Sequence, residues 1–176
     1  MTVEITYFVH GTTTDNEENR ATGHAPGTLS DLGVRQASEL GDKVEEDFDA
    51  VYCSDLRRAV RSAKLAFGDK YEITSNERLR ECDYGQMTQK RAEWDLRDFI
   101  EEPYPDGESY LQVQSRIKDF LEYLKEEHDK EKIALVAHQA PQLAIEVITE
   151  GKSWEEVIEE DWREVGLWQP GWKYHC

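Results

Sequence analysis

Apolar and polar positions alternate from Val3 and close into a largely apolar run by Val9, as in a strand entering a core. Ser30 then precedes Asp31, Leu32, Ala37, Leu40 and Val44, an N-cap residue followed by helical spacing. Ala50 to Cys53 reads as a second short strand, and Ser54 as the cap of a helix running to about Phe67. Gly68-Asp69 breaks that pattern, and Tyr71 to Thr74 is a third strand segment. Residues 83 to 107 show no clear period. They are rich in charge, carry Pro103 and Pro105, and end at the turn signal Asp106-Gly107. Beyond it, Tyr110, Val113, Ile117, Phe120, Leu121 and Leu124 fall on one helical face. Lys132 to Ala137 is nearly continuous in apolar residues, as expected of a parallel strand buried on both sides. A helix over Pro141 to Thr149 follows it directly.

Strands and helices in repeated order imply an α/β domain with a mostly parallel sheet. In such sheets ligands bind at the carboxyl ends of the strands. His10 and His138 each stand just past a predicted strand, so folding can bring them together. The Trp-rich tail (Trp154, Trp162, Trp168, Trp172) has no repeat. It is expected to pack over an edge of the domain or at a subunit interface, which leaves a homodimer open.

A length of 176 residues suits one domain spanning 1–176. No segment resembles a signal peptide and none has the length to span a bilayer, so the expected location is the cytoplasm. Cys53, Cys82 and Cys176 are odd in number and unevenly spaced, which fits neither a disulfide framework nor a zinc site. The formal net charge of −17 argues against nucleic acid and anionic membranes as partners. A small phosphorylated substrate requires a local cluster of cations to override that field.

His10, followed by Gly11, has the chemistry of a nucleophile toward phosphorus when its ring is neutral and one nitrogen is fixed by a hydrogen bond. Gly11 allows close backbone approach, and Thr12 and Thr13 offer hydroxyl and N–H donors. Arg58 lies near the start of a helix, where anions are favoured and a guanidinium can clamp two phosphate oxygens. Arg61 is expected on the same face. Glu81 is a candidate proton donor to the leaving oxygen and then base toward water, with Asp83 a rival for the same role. His138 is expected to stay protonated and to stabilise the transferring charge.

These segments, in order Phe8-Val9-His10-Gly11, Ser54-Asp55-Leu56-Arg57-Arg58-Ala59, Leu79 to Gly85 and Leu135-Val136-Ala137-His138, resemble the histidine phosphatase superfamily of phosphoglycerate-mutase-like proteins. Asn16, Arg20 and Gly23, the Leu29-Ser30-x-x-Gly33-x-x-Gln36-Ala37 run and Pro105-x-Gly107-Glu108-Ser109 extend the resemblance along most of the chain. It implies a three-layer α/β/α sandwich. It also implies a metal-independent phosphatase with no cofactor, acting on a small phosphorylated metabolite through a phosphohistidine. His10 would be the nucleophile, Arg58 the phosphate clamp, Glu81 the acid and His138 the second pocket histidine. Gly11, Thr12, Thr13, Asn16, Arg20, Arg61 and Gln139 would contact substrate. Cys82-Asp83-Tyr84-Gly85 looks like the phosphatase branch, which places a mutase behind it. The chain departs from the family at Val9, where the family has arginine, and at Gln139-Ala140, where it has a glycine pair. Thr12 stands where many members have glutamate. The alternative reading is a non-catalytic relative that binds phosphate esters or a protein partner in the same pocket. Arg20 or Arg61 is the expected substitute for the guanidinium absent at Val9, the alternative being a gap left unfilled.

Overall fold

The computed structural model describes residues 1–176. The strands are β1 (Glu4–Val9), β2 (Ala50–Ser54), β3 (Ile73–Asn76), β4 (Lys132–Ala137) and β5 (Trp172–His175). They form one sheet in the order β3-β2-β4-β1-β5. The pairs β1–β4, β2–β4 and β2–β3 are parallel, and β5 alone runs antiparallel, beside β1. The helices are α1 (Thr14–Glu17), α2 (Asp31–Lys43), α3 (Arg57–Phe67), α4 (Tyr110–Glu127), α5 (Gln139–Glu150), α6 (Trp154–Glu159) and α7 (Trp162–Val165).

Successive side chains of a strand point to opposite faces, and both faces of this sheet are covered. Ile5, Tyr7, Ile133 and Leu135 enter a core with Ile117, Phe120 and Leu124 of α4 and Leu143 and Ile145 of α5. Their neighbours Phe8, Ala134 and Val136 enter a second core with Leu40 of α2 and Ala63 and Phe67 of α3. This is the expected α/β/α sandwich. The continuous apolar run of β4 follows from burial on both sides.

Several elements differ from the sequence reading. Ser54 ends β2 instead of capping α3. Its Oγ accepts from the Leu56 N–H, and Leu56 occupies the N-cap with no side-chain bond. β3 starts two residues later than expected, because its register is set by Val51↔Ile73 on β2. Residues 77–99 contain short 3₁₀ turns, which have no period of their own to read. β5 is a strand where none was expected. Of the tail tryptophans, Trp154 is buried in the core. Trp162 stacks on Trp172, with ring centroids 5.0 Å apart.

Val9 and Ala137 are paired across β1 and β4, so the residues that follow them, His10 and His138, leave adjacent strands side by side. The chain after β1 runs to α2 on one face of the sheet, while the chain after β4 enters α5 on the other. Such a divergence opens a crevice at the carboxyl ends of the strands.

Candidate active site

That crevice is a cavity of about 720 Å³ lined by His10, Arg58, Glu81 and His138 among others. The imidazoles of His10 and His138 lie with centroids 5.0 Å apart and planes tilted by 59°. His10 Nδ1 is 2.7 Å from the Gly11 carbonyl oxygen. A carbonyl only accepts, so Nδ1 carries the hydrogen and Nε2 of the neutral ring keeps its lone pair. Burial, then the charge of Arg58, push the His10 pKa down to about 3. The ring is therefore neutral near pH 7.

His138 is held well below its ordinary value, first by burial, then by Arg58 and His10. The protonated His138 expected from the sequence is not what this environment favours. Neither of its ring nitrogens has a hydrogen-bond partner, although the residue is only 1% exposed. Buried orphan nitrogens are costly and point to a group that the cavity is shaped to receive. The backbone of His138 is pinned by Tyr7, whose hydroxyl donates to the His138 carbonyl at 2.6 Å and accepts from its N–H at 3.0 Å.

Arg58 is buried near the start of α3. Its Nη2 donates to the Gly23 carbonyl at 2.8 Å and its Nη1 to that of Ala25 at 3.3 Å. Glu81 is also buried. Its Oε1 accepts the N–H groups of Cys82 and Ala140, and its Oε2 that of Gln139. The carboxyl group is thereby fixed against the first turn of α5, beside His138. Asp83 does not line the cavity. Its Oδ1 accepts the Gly85 N–H in a tight turn.

Gly11 lies where a Cβ would come within 2.3 Å of the Gly33 carbonyl oxygen. What it permits is close approach to α2, and its N–H is satisfied by Ser62 Oγ of α3 at 3.0 Å. Thr12, Asn16, Arg20 and Gln139 line the cavity. Thr13 does not. It is fully buried as the N-cap of α1, its Oγ1 accepting from the Asn16 N–H. Arg61 does not either. Arg58 turns inward on α3, and Arg61, three residues on, is exposed to solvent. Arg20 reaches the cavity with its side chain half exposed and paired to Glu18.

The sequence reading missed Ser62, Tyr7 and Arg163, and assigned the tail no part in the site. Trp162, Arg163, Trp168 and Trp172 all line the cavity. The clustering of tryptophans was the available signal.

The family model for the histidine phosphatase superfamily (branch 1) matches residues 7–162. Phosphoserine phosphatase 1 of Hydrogenobacter thermophilus is 29% identical over 157 residues, covering 81% of this chain and 74% of that protein. The adenosylcobalamin/alpha-ribazole phosphatase of Escherichia coli is 29% identical over 144 residues, covering 74% of this chain and 70% of that protein. The crystal structure of the alpha-ribazole phosphatase from Shigella flexneri superposes with a TM-score of 0.76 at 26% identity, covering 91% of this chain and 84% of that one. With its adjacent histidines at the ends of β1 and β4 and a family match over most of its length, this chain belongs to the histidine phosphatase superfamily.

Proposed function

We propose that this protein is a metal-independent phosphomonoesterase that hydrolyses a small phosphorylated metabolite through a phosphohistidine on His10. The observation that carries the reading is the Nδ1–H bond from His10 to the Gly11 carbonyl, which leaves Nε2 free in a ring kept neutral. Nε2 attacks phosphorus, and the P–O bond to the leaving group breaks as Glu81 gives that oxygen a proton. Water then attacks the phosphohistidine with Glu81 accepting its proton, which returns both residues to their starting states. Arg58 and the unpartnered ring of His138 line the same cavity, and in this reading the Arg58 guanidinium and the one N–H of the neutral His138 ring donate to the phosphoryl oxygens. The similarity to a phosphoserine phosphatase and an alpha-ribazole phosphatase supports phosphatase chemistry.

The test is rapid quench with ³²P-labelled aryl phosphate in excess chelator. The expected result is an acid-labile, base-stable phosphoryl group on His10, absent from His10→Ala. Turnover that requires added Mg²⁺ or Zn²⁺, or label on another residue, overturns the mechanism. Tight phosphate binding without turnover of any ester would favour the binding-protein reading.

A further inference from the structure

We propose that Arg163, on the C-terminal helix α7, supplies the second guanidinium that grips the phosphoryl group beside His10. The proposal deepens the phosphate-ester reading of the cavity and rests on it.

A phosphoryl dianion needs several directed donors, and both imidazoles here are neutral. The cations lining the cavity are Arg20, Lys43, Arg58 and Arg163. Arg20 and Lys43 have side chains 48% and 53% exposed and are paired to Glu18 and Glu39. They are hydrated charges, partly offset by their partners, of small individual effect. Arg163 has a side chain only 22% exposed and is held on several sides. Its Nη1 donates to Asp161 Oδ1 at 2.9 Å and its Nη2 to Gln142 Oε1 at 3.0 Å. Its guanidinium carbon lies 4.4 Å from the centroid of the Trp162 ring.

Asp161 is itself buried, and its Oδ2 accepts from Gln139 Nε2 at 2.6 Å. Arg163 is thus tied to the turn that carries His138. A guanidinium has five N–H groups in a rigid fork. Two are committed to Asp161 and Gln142, which leaves three for a ligand. Asp161 offsets part of the charge, so Arg163 acts mainly through these directed donors. Its charge nonetheless reaches His10 and helps keep that ring neutral.

The topology explains how a tail residue reaches the nucleophile. β5 runs antiparallel to β1 with Trp172 opposite Tyr7, so the chain before Trp172 lies at the carboxyl end of β1. Val9, which lines the same cavity one residue before His10, offers no donor. Arg163 approaches from the tail side the oxygens that a longer side chain at 9 would reach from the strand.

The experiment compares the wild type, Arg163→Met, Val9→Arg and the double variant. It measures inorganic phosphate binding by calorimetry and kcat/KM on nitrophenyl phosphate. Arg163→Met is expected to lower kcat/KM by about 10²- to 10³-fold, the usual cost of one preorganised donor, and to weaken phosphate binding. Val9→Arg is expected to bring no gain in the wild type but at least about tenfold recovery in the Arg163→Met background, a pattern that lost packing cannot produce. Should Arg163→Met fold poorly by circular dichroism, Arg163→Lys keeps the charge without the fork, and a loss of about tenfold or more is expected from it. Arg163 variants within about threefold of the wild type on both readouts, or no recovery in the double variant, overturn the proposal. A wild type that turns over no ester but loses phosphate affinity with Arg163→Met overturns the phosphatase reading and leaves the clamp standing.

Discussion

A histidine attacks phosphorus only with an unshared lone pair, and at His10 a single 2.7 Å hydrogen bond selects which nitrogen keeps it. His138 differs, with no bond to either nitrogen. Its depressed pKa links the site to stability. Between the folded value and the ordinary 6.5, the unfolded chain binds a proton that the folded chain does not. Stability therefore rises with pH over that window. The contribution is fully present above about pH 6.5 and is lost as pH falls, by at most about 1.4 kcal/mol per pH unit. His138→Gln is expected to flatten the loss of stability between about pH 7 and pH 5 in urea unfolding. Equal slopes in both proteins would show that His138 titrates normally. Glu81 is tested through the leaving group. Glu81→Gln is expected to slow alkyl phosphates far more than nitrophenyl phosphate, which leaves without a proton. Equal losses would assign Glu81 to holding the first turn of α5.

At the scale of elements, the loop after β1 is set by a crossing of two glycines. A Cβ on Gly33 would stand 1.9 Å from the Thr12 carbonyl oxygen, and one on Gly11 2.3 Å from that of Gly33. The obstacles are backbone atoms, which cannot swing aside as a side chain can. Gly33→Ala is expected to cost about 1–3 kcal/mol in chemical denaturation. Because α2 must then retreat from the His10 loop, activity is expected to fall as well. A variant of unchanged stability and rate would mean that the loop and α2 move apart freely. The neighbouring Ser30 cap is local and was legible in the sequence, since its Oγ meets the Gly33 N–H within one turn.

For the whole molecule, the charge of −17 opposes the approach of any phosphate ester, while the guanidiniums of Arg58 and Arg163 attract it at short range. Long-range repulsion is screened first as salt rises. Raising ionic strength from about 0.01 to about 0.15 M shortens the Debye length from roughly 30 to 8 Å. In stopped-flow measurements the association rate of a dianionic ester is expected to increase over that range. A decrease would show that the cationic cavity, not the acidic surface, governs encounter. No helix is long and apolar enough to cross a membrane.

The sequence by itself determined the alternation of β1, the helical face of α4, the two-sided burial of β4 and the placing of His10 and His138 at strand ends. Each is a local period or a cap, carried by residues within a turn or a strand of one another. Only the tertiary structure decided which arginines line the cavity with His10. Arg58 and Arg61 are three residues apart on one helix, so their faces differ by a fraction of a turn, and packing against Gly23 and Ala25 turns one inward. Thr13 was drawn away by a cap that its neighbour Asn16 completes. β5 exists because β1 offers it a partner, and Arg163 reaches the site only because that pairing carries the tail to the end of β1. Contacts between residues as far apart as Tyr7 and Trp172 leave no period to read, and for that reason the tail showed its composition in the sequence but not its place in the site.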